Sequence, residues 1–213
     1  MNETNNIILP EPTLRRLPWY LAYIDILKNQ GVKTVSSTRI AKAINVDASL
    51  IAKDLSFLNI RGKTRIGYEV ARLAEVLADF LGFKRSHKAV VVGVGSLGAA
   101  LIHDTGLANY GLEIVAGFDT SQELIGTKIR GINIYDMKDF GRIRELTDAS
   151  IGILTVPFTS AQDAADTMVA SGIKAIWNFT PCRVRTSEGI VMTSTSIYAH
   201  LALIYNRLGN EML

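Results

Sequence analysis

Gly93, Gly95 and Gly98, followed by the carboxylate of Asp119, are the residues of this chain whose types and spacing suit a phosphorylated ligand. Residues 90–101 read VVVGVGSLGAAL, an apolar run that turns through Gly93, Val94, Gly95, Ser96, Leu97 and Gly98 into a helical pattern. In a G-x-G-x-x-G turn the first glycine permits the tight bend and the second lets backbone approach a pyrophosphate. The third lets the helix pack closely on its strand. The helix N-terminus adds partial positive charge for the phosphates. A second apolar run, residues 112–118, ends in Asp119 about 20 residues downstream, where a carboxylate can take both hydroxyls of a ribose. The same charge repels a 2′-phosphate, so the spacing points to NAD(H) rather than NADP(H). The alternative is a tight structural glycine turn with Asp119 as a helix N-cap.

The elements that must position these groups follow from the rest of the chain. Beyond Asp119, short strands are expected at 132–135, 150–155, 174–178 and 190–192, with a helix over 161–170. Strand–helix alternation with the ligand turn after its first strand indicates an α/β fold with a Rossmann-like, doubly wound parallel sheet. Ligands of such sheets sit at the carboxyl ends of the strands. Thr155, Val156 and Pro157, and then Asn178, Phe179, Thr180 and Pro181, are therefore lining candidates, or ordinary loop punctuation.

About 85 residues precede the motif, more than a free-standing dehydrogenase usually carries there. Through Arg85 the chain has 13 basic and 8 acidic residues, and beyond it 10 basic and 12 acidic, which suggests a polyanionic partner for the first part only. Thr13 can cap a helix running to about Asn29 and ended by Gly31. Its core face would be Leu14, Leu17, Leu21, Ile24 and Leu27, and Pro18 could kink it. A short second helix would turn Ile40, Ala43 and Ile44 inward. A third, over 48–58, would bury Ile51, Leu55 and Leu58 and expose Ser49, Ala52, Lys53 and Ser56. Two short helices across a tight turn, followed by the glycine-bounded basic stretch from Arg61 to Tyr68, read as a winged helix-turn-helix. Arg39, Ser49, Lys53, Ser56, Arg61, Lys63, Thr64 and Arg65 are its candidate contacts to double-stranded DNA. A helical dimerisation domain with solvated lysines is the alternative.

A chain of 213 residues can hold two modest domains. No apolar stretch approaches the roughly 20 residues of a membrane span, and the start MNETNNIILPEP does not read as a signal peptide, so a cytoplasmic protein with no membrane partner is expected. Cys182 is the single cysteine, and His87, His103 and His200 are scattered, so no metal site is expected. Residues 196–208 place Ile197, Leu201, Ile204, Tyr205 and Leu208 on one apolar stripe, which needs a covering surface on its own sheet or on a second subunit. The expected divisions are 1–85, 86–195 and 196–213.

These residues together resemble the Rex family, redox-sensing transcriptional repressors of bacteria, over essentially the whole chain. The matching pieces are Arg16-Leu17-Pro18, Lys53-Asp54-Leu55-Ser56, Gly62-Lys63, Gly67-Tyr68, the glycine turn itself and Phe118-Asp119. Val156-Pro157, Ala161-Gln162, ASGIK at 170–174, and Asn178-Phe179 with Pro181 continue the match. The resemblance implies a homodimer with winged-helix domains, NAD(H)-binding Rossmann domains and a domain-swapped C-terminal helix, which leaves its operator when NADH rises. It implies no catalytic residues, and it places nicotinamide discrimination near Phe179, Thr180 and Pro181. The chain departs from the family where Leu50 and Ala52 replace a glutamine and an arginine, and where Thr64-Arg65 replaces Arg-Gly. It departs again at the switch, where Asp104 and Ser196 replace a tyrosine and an aspartate associated, in the NADH-bound form, with the arginine matching Arg16. The compensating swap suggests Asp104 as the acidic partner of Arg16, the alternative being a solvated loop carboxylate. An NAD-dependent oxidoreductase and a CoA-binding regulator are the competing readings; Asp119 alone does not separate CoA from NAD(H).

Overall fold

Helix α1 (Glu11–Asn29) is the first element of the computed structural model, which describes residues 9–210. It starts two residues before the expected cap, with Pro10 as N-cap and Pro12 in the first turn, where a missing N–H costs no hydrogen bond. Thr13 is therefore inside the helix and buried, and the helix continues through Pro18. Leu17, Tyr20, Leu21, Ile24 and Leu27 form its buried face, whereas Leu14 is 40% exposed.

Next come β1 (Thr34–Val35), α2 (Ser37–Ile44), α3 (Ala48–Ser56), β2 (Tyr68–Glu69) and α4 (Val70–Phe80). The Ser36 hydroxyl accepts from the Arg39 amide at 3.1 Å and starts α2, while Asn45 at φ 55° ends it. α2 buries Ile40 and Ala41; Ala43, expected inward, is exposed. Asp47 caps α3, whose inner face is Ile51, Asp54 and Leu55. β1 and β2 pair antiparallel, and α4 packs Val70, Leu73, Ala74 and Leu77 into the same core as α1.

A second compact unit begins at Arg85. It runs β3 (His87–Val92), α5 (Ser96–His103), α6 (Gly106–Asn109), β4 (Leu112–Asp119), β5 (Lys128–Ile129), β6 (Ile132–Asp136), α7 (Phe140–Thr147), β7 (Ile151–Leu154), α8 (Ala161–Ala170), β8 (Ala175–Asn178), β9 (Val191–Ser194) and α9 (Ile197–Asn210). The sheet order is β5-β6-β4-β3-β7-β8-β9, parallel throughout except for the short edge strand β5. From β3 the chain winds outward through β4 and β6, then returns to the other side of β3 with β7. That reversal places a topological switch point at the carboxyl ends of β3 and β7. Apolar clusters around Phe118, Phe140 and Met168 and around Val91, Ile102 and Ile153 fill its interior.

Along α9 the side chains of residues 197–209 are exposed, with Leu201 at 37% and Tyr205 at 65%. The apolar stripe is not covered by its own sheet. Among the described residues no helix is long and apolar enough to cross a membrane, and no three His, Cys, Asp or Glu side chains converge as a metal site would require.

Candidate nucleotide and nucleic-acid sites

The loop between β3 and α5 is shaped by its glycines in three different ways. Gly93 adopts φ +91°, and a Cβ there would lie 2.8 Å from the Val156 amide nitrogen. A Cβ on Gly98 would run into the Gly93 carbonyl oxygen. Gly95 faces open space, with nothing within 4 Å of where its Cβ would be, so this is where backbone is free to meet a ligand. Ser96 is exposed, Leu97 half-buried and the Val94 side chain buried. From the end of β7 the Thr155 hydroxyl donates to the Gly93 carbonyl at 2.6 Å and holds the loop down.

Asp119, the last residue of β4, braces the same loop. Its Oδ2 accepts from the Val94 amide at 2.6 Å, while Oδ1 accepts from the Thr120 and Ser121 amides at 2.8 and 2.9 Å. A carboxylate offers about four acceptor positions. Backbone takes three, so one is left for a ribose hydroxyl, rather than the two anticipated from spacing.

A cavity of about 250 Å³ opens beside this carboxylate. Val156 and Pro157 line it together with Gly93 and Asp119, and so do Met137, Ser160, Asp163 and Thr167, which sequence reasoning missed. Asp163 and Thr167 are four residues apart on α8, a spacing that puts both on one helical face and that could have flagged them. The 178–181 turn is not part of this lining. Asn178 and Thr180 are buried; Asn178 Oδ1 accepts from the Thr180 amide and hydroxyl at 2.9 and 2.7 Å, and Nδ2 donates to the Cys182 carbonyl at 2.9 Å. Their side chains brace the turn instead of facing a ligand. Phe179, tilted 45° against Trp177 with ring centroids 4.6 Å apart, and the exposed Pro181 are the members that it presents.

In the first unit, α3 and the 61–68 segment form a cationic groove. Lys63 and Gly67 bridge antiparallel, Arg65 adopts φ 64°, and a Cβ on Gly67 would run into the Val35 carbonyl, so the turn is tied to β1. Ser36, Ala52, Ser56, Arg61, Lys63 and Arg65 line a groove of about 430 Å³. Ser49, Lys53 and Thr64 are exposed near its elements, and Arg39 is exposed on α2 outside the lining.

Behind α3 lies a buried charge. Asp54 is 1% exposed and accepts from Arg16 Nε and Nη2 at 2.8 and 2.9 Å, from the Tyr20 hydroxyl at 2.6 Å and from the Thr13 hydroxyl at 2.9 Å. Burial, the largest single influence, opposes its ionisation, but the donors from Arg16, Tyr20 and Thr13 together hold the carboxyl below the usual range. Arg16 is raised by the same hydrogen bond, and Tyr20 is raised by burial and then by Asp54.

Within the first unit Arg16 pairs with Asp54. In the second unit Asp104 Oδ1 accepts from the Gly106 and Leu107 amides at 2.6 and 3.0 Å, at the start of α6. A carboxylate two and three residues before free amides satisfies them locally, at no loop-closure cost. Ser196 accepts from the Ala199 amide at 3.1 Å and so starts α9.

Comparison with known proteins agrees with both units. Residues 84–182 match the family described as a CoA binding domain, and residues 8–56 match a putative DNA-binding protein N-terminus. The redox-sensing transcriptional repressor Rex of Bacteroides fragilis is 58% identical over 205 residues, covering 96% of this chain and 93% of that protein. The crystal structure of the repressor RSP with β-NAD⁺ and operator DNA is 31% identical, with a TM-score of 0.92 over 96% of this chain and 94% of that one. RSP with β-NADH is 32% identical, with a TM-score of 0.85 over 96% of each chain. A chain with a glycine-loop sheet, a cationic winged helix and this identity along nearly its whole length belongs to the Rex family of redox-sensing transcriptional repressors.

Proposed function

We propose that this protein is a homodimeric, cytoplasmic repressor that holds operator DNA through its first unit and releases it when NADH occupies the second. The observation that carries the reading is the pairing, in one chain, of a ligand-ready glycine loop braced by Asp119 with the cationic groove beside α3. In this reading the glycine loop from Gly93 to Gly98 takes the pyrophosphate and Asp119 a ribose hydroxyl. Phe179 and Pro181 face the nicotinamide, and Thr155 and Asn178 shape the loops around it. Lys53, Arg61, Lys63, Arg65 and Arg39 meet phosphates, with Ser49, Ser56 and Thr64 beside them. Arg16, held by Asp54, stays the residue through which ligand occupancy reaches α3. The uncovered stripe of α9 packs on a second copy, so that 196–213 acts as a swapped segment after domains at 1–85 and 86–195.

The nucleotide is a signal here, not a substrate. Linkage then requires that NADH weaken operator binding by the same factor by which the operator weakens NADH binding. A near-complete shift between two states takes about 5.5 kcal/mol of differential affinity.

Matching a CoA-binding family raises CoA as a second ligand. The cavity favours NAD(H): Asp119 and Asp163 line it and no lysine or arginine does, so the 3′-phosphate of CoA or the 2′-phosphate of NADP(H) would face two carboxylates. Fluorescence anisotropy of a labelled palindromic operator at fixed salt tests the whole reading. NADH is expected to release the protein, NAD⁺ to spare the complex and CoA to leave both unchanged. Binding indifferent to NADH would refute the switch.

A further inference from the structure

Lys53 apart, the outward face of α3 is apolar or acceptor-only where a base-reading helix needs long donors. Ser49, Ala52, Lys53 and Ser56 are exposed and Leu50 is half-buried. The Ser49 hydroxyl donates to Asp47 Oδ1 at 2.7 Å, and the Ser56 hydroxyl donates to the Lys53 carbonyl at 2.6 Å. Both hydroxyl protons are engaged within the protein, which leaves each oxygen available as an acceptor.

Bidentate reading of guanine calls for arginine or lysine, and of adenine for asparagine or glutamine. The α3 sequence ASLIAKDLS has no arginine, asparagine or glutamine. Lys53 is a flexible point charge that, like Arg61, Lys63 and Arg65 lining the groove, suits phosphate oxygens. What α3 offers a base edge is the methyl of Ala52, which lines the 430 Å³ groove, and the Leu50 side chain. Thymine alone presents an apolar group, its C5-methyl, in the major groove.

We propose that α3 selects thymine by its methyl group, with Leu50 and Ala52 as specificity-determining residues; the inference rests on the DNA-binding reading above. Ser49 and Ser56 then accept from the amino groups of adenine or cytosine, and the cations supply affinity that is blind to sequence.

The full-length protein, incubated at fixed salt with a duplex library of random core, selects its own site. Each thymine of that site is then replaced by deoxyuridine, which lacks only the methyl. One or two thymines per half-site should each weaken binding about fourfold when replaced, the worth of one buried methyl. Leu50→Ala, which keeps a strong helix former, and Ala52→Gly should each remove the sensitivity at one thymine and leave the salt dependence unchanged. Deoxyuridine without effect at every position overturns the proposal. So does an invariant guanine whose replacement costs about tenfold or more, an effect lost in Lys53→Ala. Equal binding to all duplexes with a steep salt slope keeps the DNA-binding reading and overturns this one, whereas binding to no duplex refutes the DNA-binding reading itself.

Discussion

Replacing Arg16 by methionine isolates the energetic role of the buried charge behind α3. Asp54 is 1% exposed and Arg16 17%, so the carboxylate cannot reach water when its cation is removed. Two of its four hydrogen bonds disappear with Arg16, leaving Tyr20 and Thr13 as donors. Stranding one partner of a buried ion pair costs about 3–5 kcal/mol. In a unit of this size each kcal/mol lowers Tm by about 4–8 °C, so a fall of at least about 12 °C is expected. The assay is urea and thermal unfolding of the full chain, followed by Trp19 fluorescence in a Trp177→Phe background. Trp19 lies on α1 and Trp177 in the second unit, so the signal then comes from the first unit. The triple variant Arg16→Met, Tyr20→Phe, Asp54→Leu removes charge, donor and acceptor together. It should recover to within about 1 kcal/mol of the parent or exceed it, because an apolar replacement of a buried network is often neutral or stabilising. A loss below about 1 kcal/mol for Arg16→Met, the range of exposed pairs, would refute the reasoning. So would a triple variant no better than the sum of its parts.

Gly98→Ala drives a Cβ into the Gly93 carbonyl; NADH titration should show affinity reduced about tenfold or more, with first-unit unfolding unchanged. Asp119→Ala removes the acceptor shared by the Val94, Thr120 and Ser121 amides and the ribose partner. Hydrogen bonds to charged groups contribute about 1.5–3 kcal/mol each, so NADH affinity measured by calorimetry should fall about tenfold or more while unliganded operator binding persists. The urea midpoint should also depend on pH through the Asp54 network. The folded pKa of Asp54 is depressed below 3.8, so its contribution is present above 3.8 and is lost as pH falls below that through the depressed folded value. Tyr20 is raised above 10.0, so its contribution is complete below that value and is lost as pH rises past it. The triple variant should flatten both limbs of this profile. Truncation after Thr195 removes α9, and sedimentation should show the dimer replaced by monomer.

Local patterns were legible because local physics makes them. The glycine turn, the Asp119 strand end and helix α8 at 161–170 each rest on residues close in sequence, and each stands where spacing put it. The α1 boundary was misplaced because threonine is a strong cap in general, while here two prolines suit the first turn and release Thr13 for Asp54, 41 residues away. The inward roles of Asn178 and Thr180 were hidden for a related reason. A polar residue at a strand end can face a ligand or satisfy its own turn, and sequence does not say which.

The partner that Arg16 has within its own unit was hidden in the same way: Asp54 is buried on α3, where the neighbouring Lys53 is exposed, and Arg16 is the cation that reaches it. Long-range pairing of a buried charge is decided by which group would be left most costly without it. That group is Asp54, and it is a member of the helix proposed to read DNA. The arginine that resemblance marks as the switch thus holds that helix from behind its exposed face.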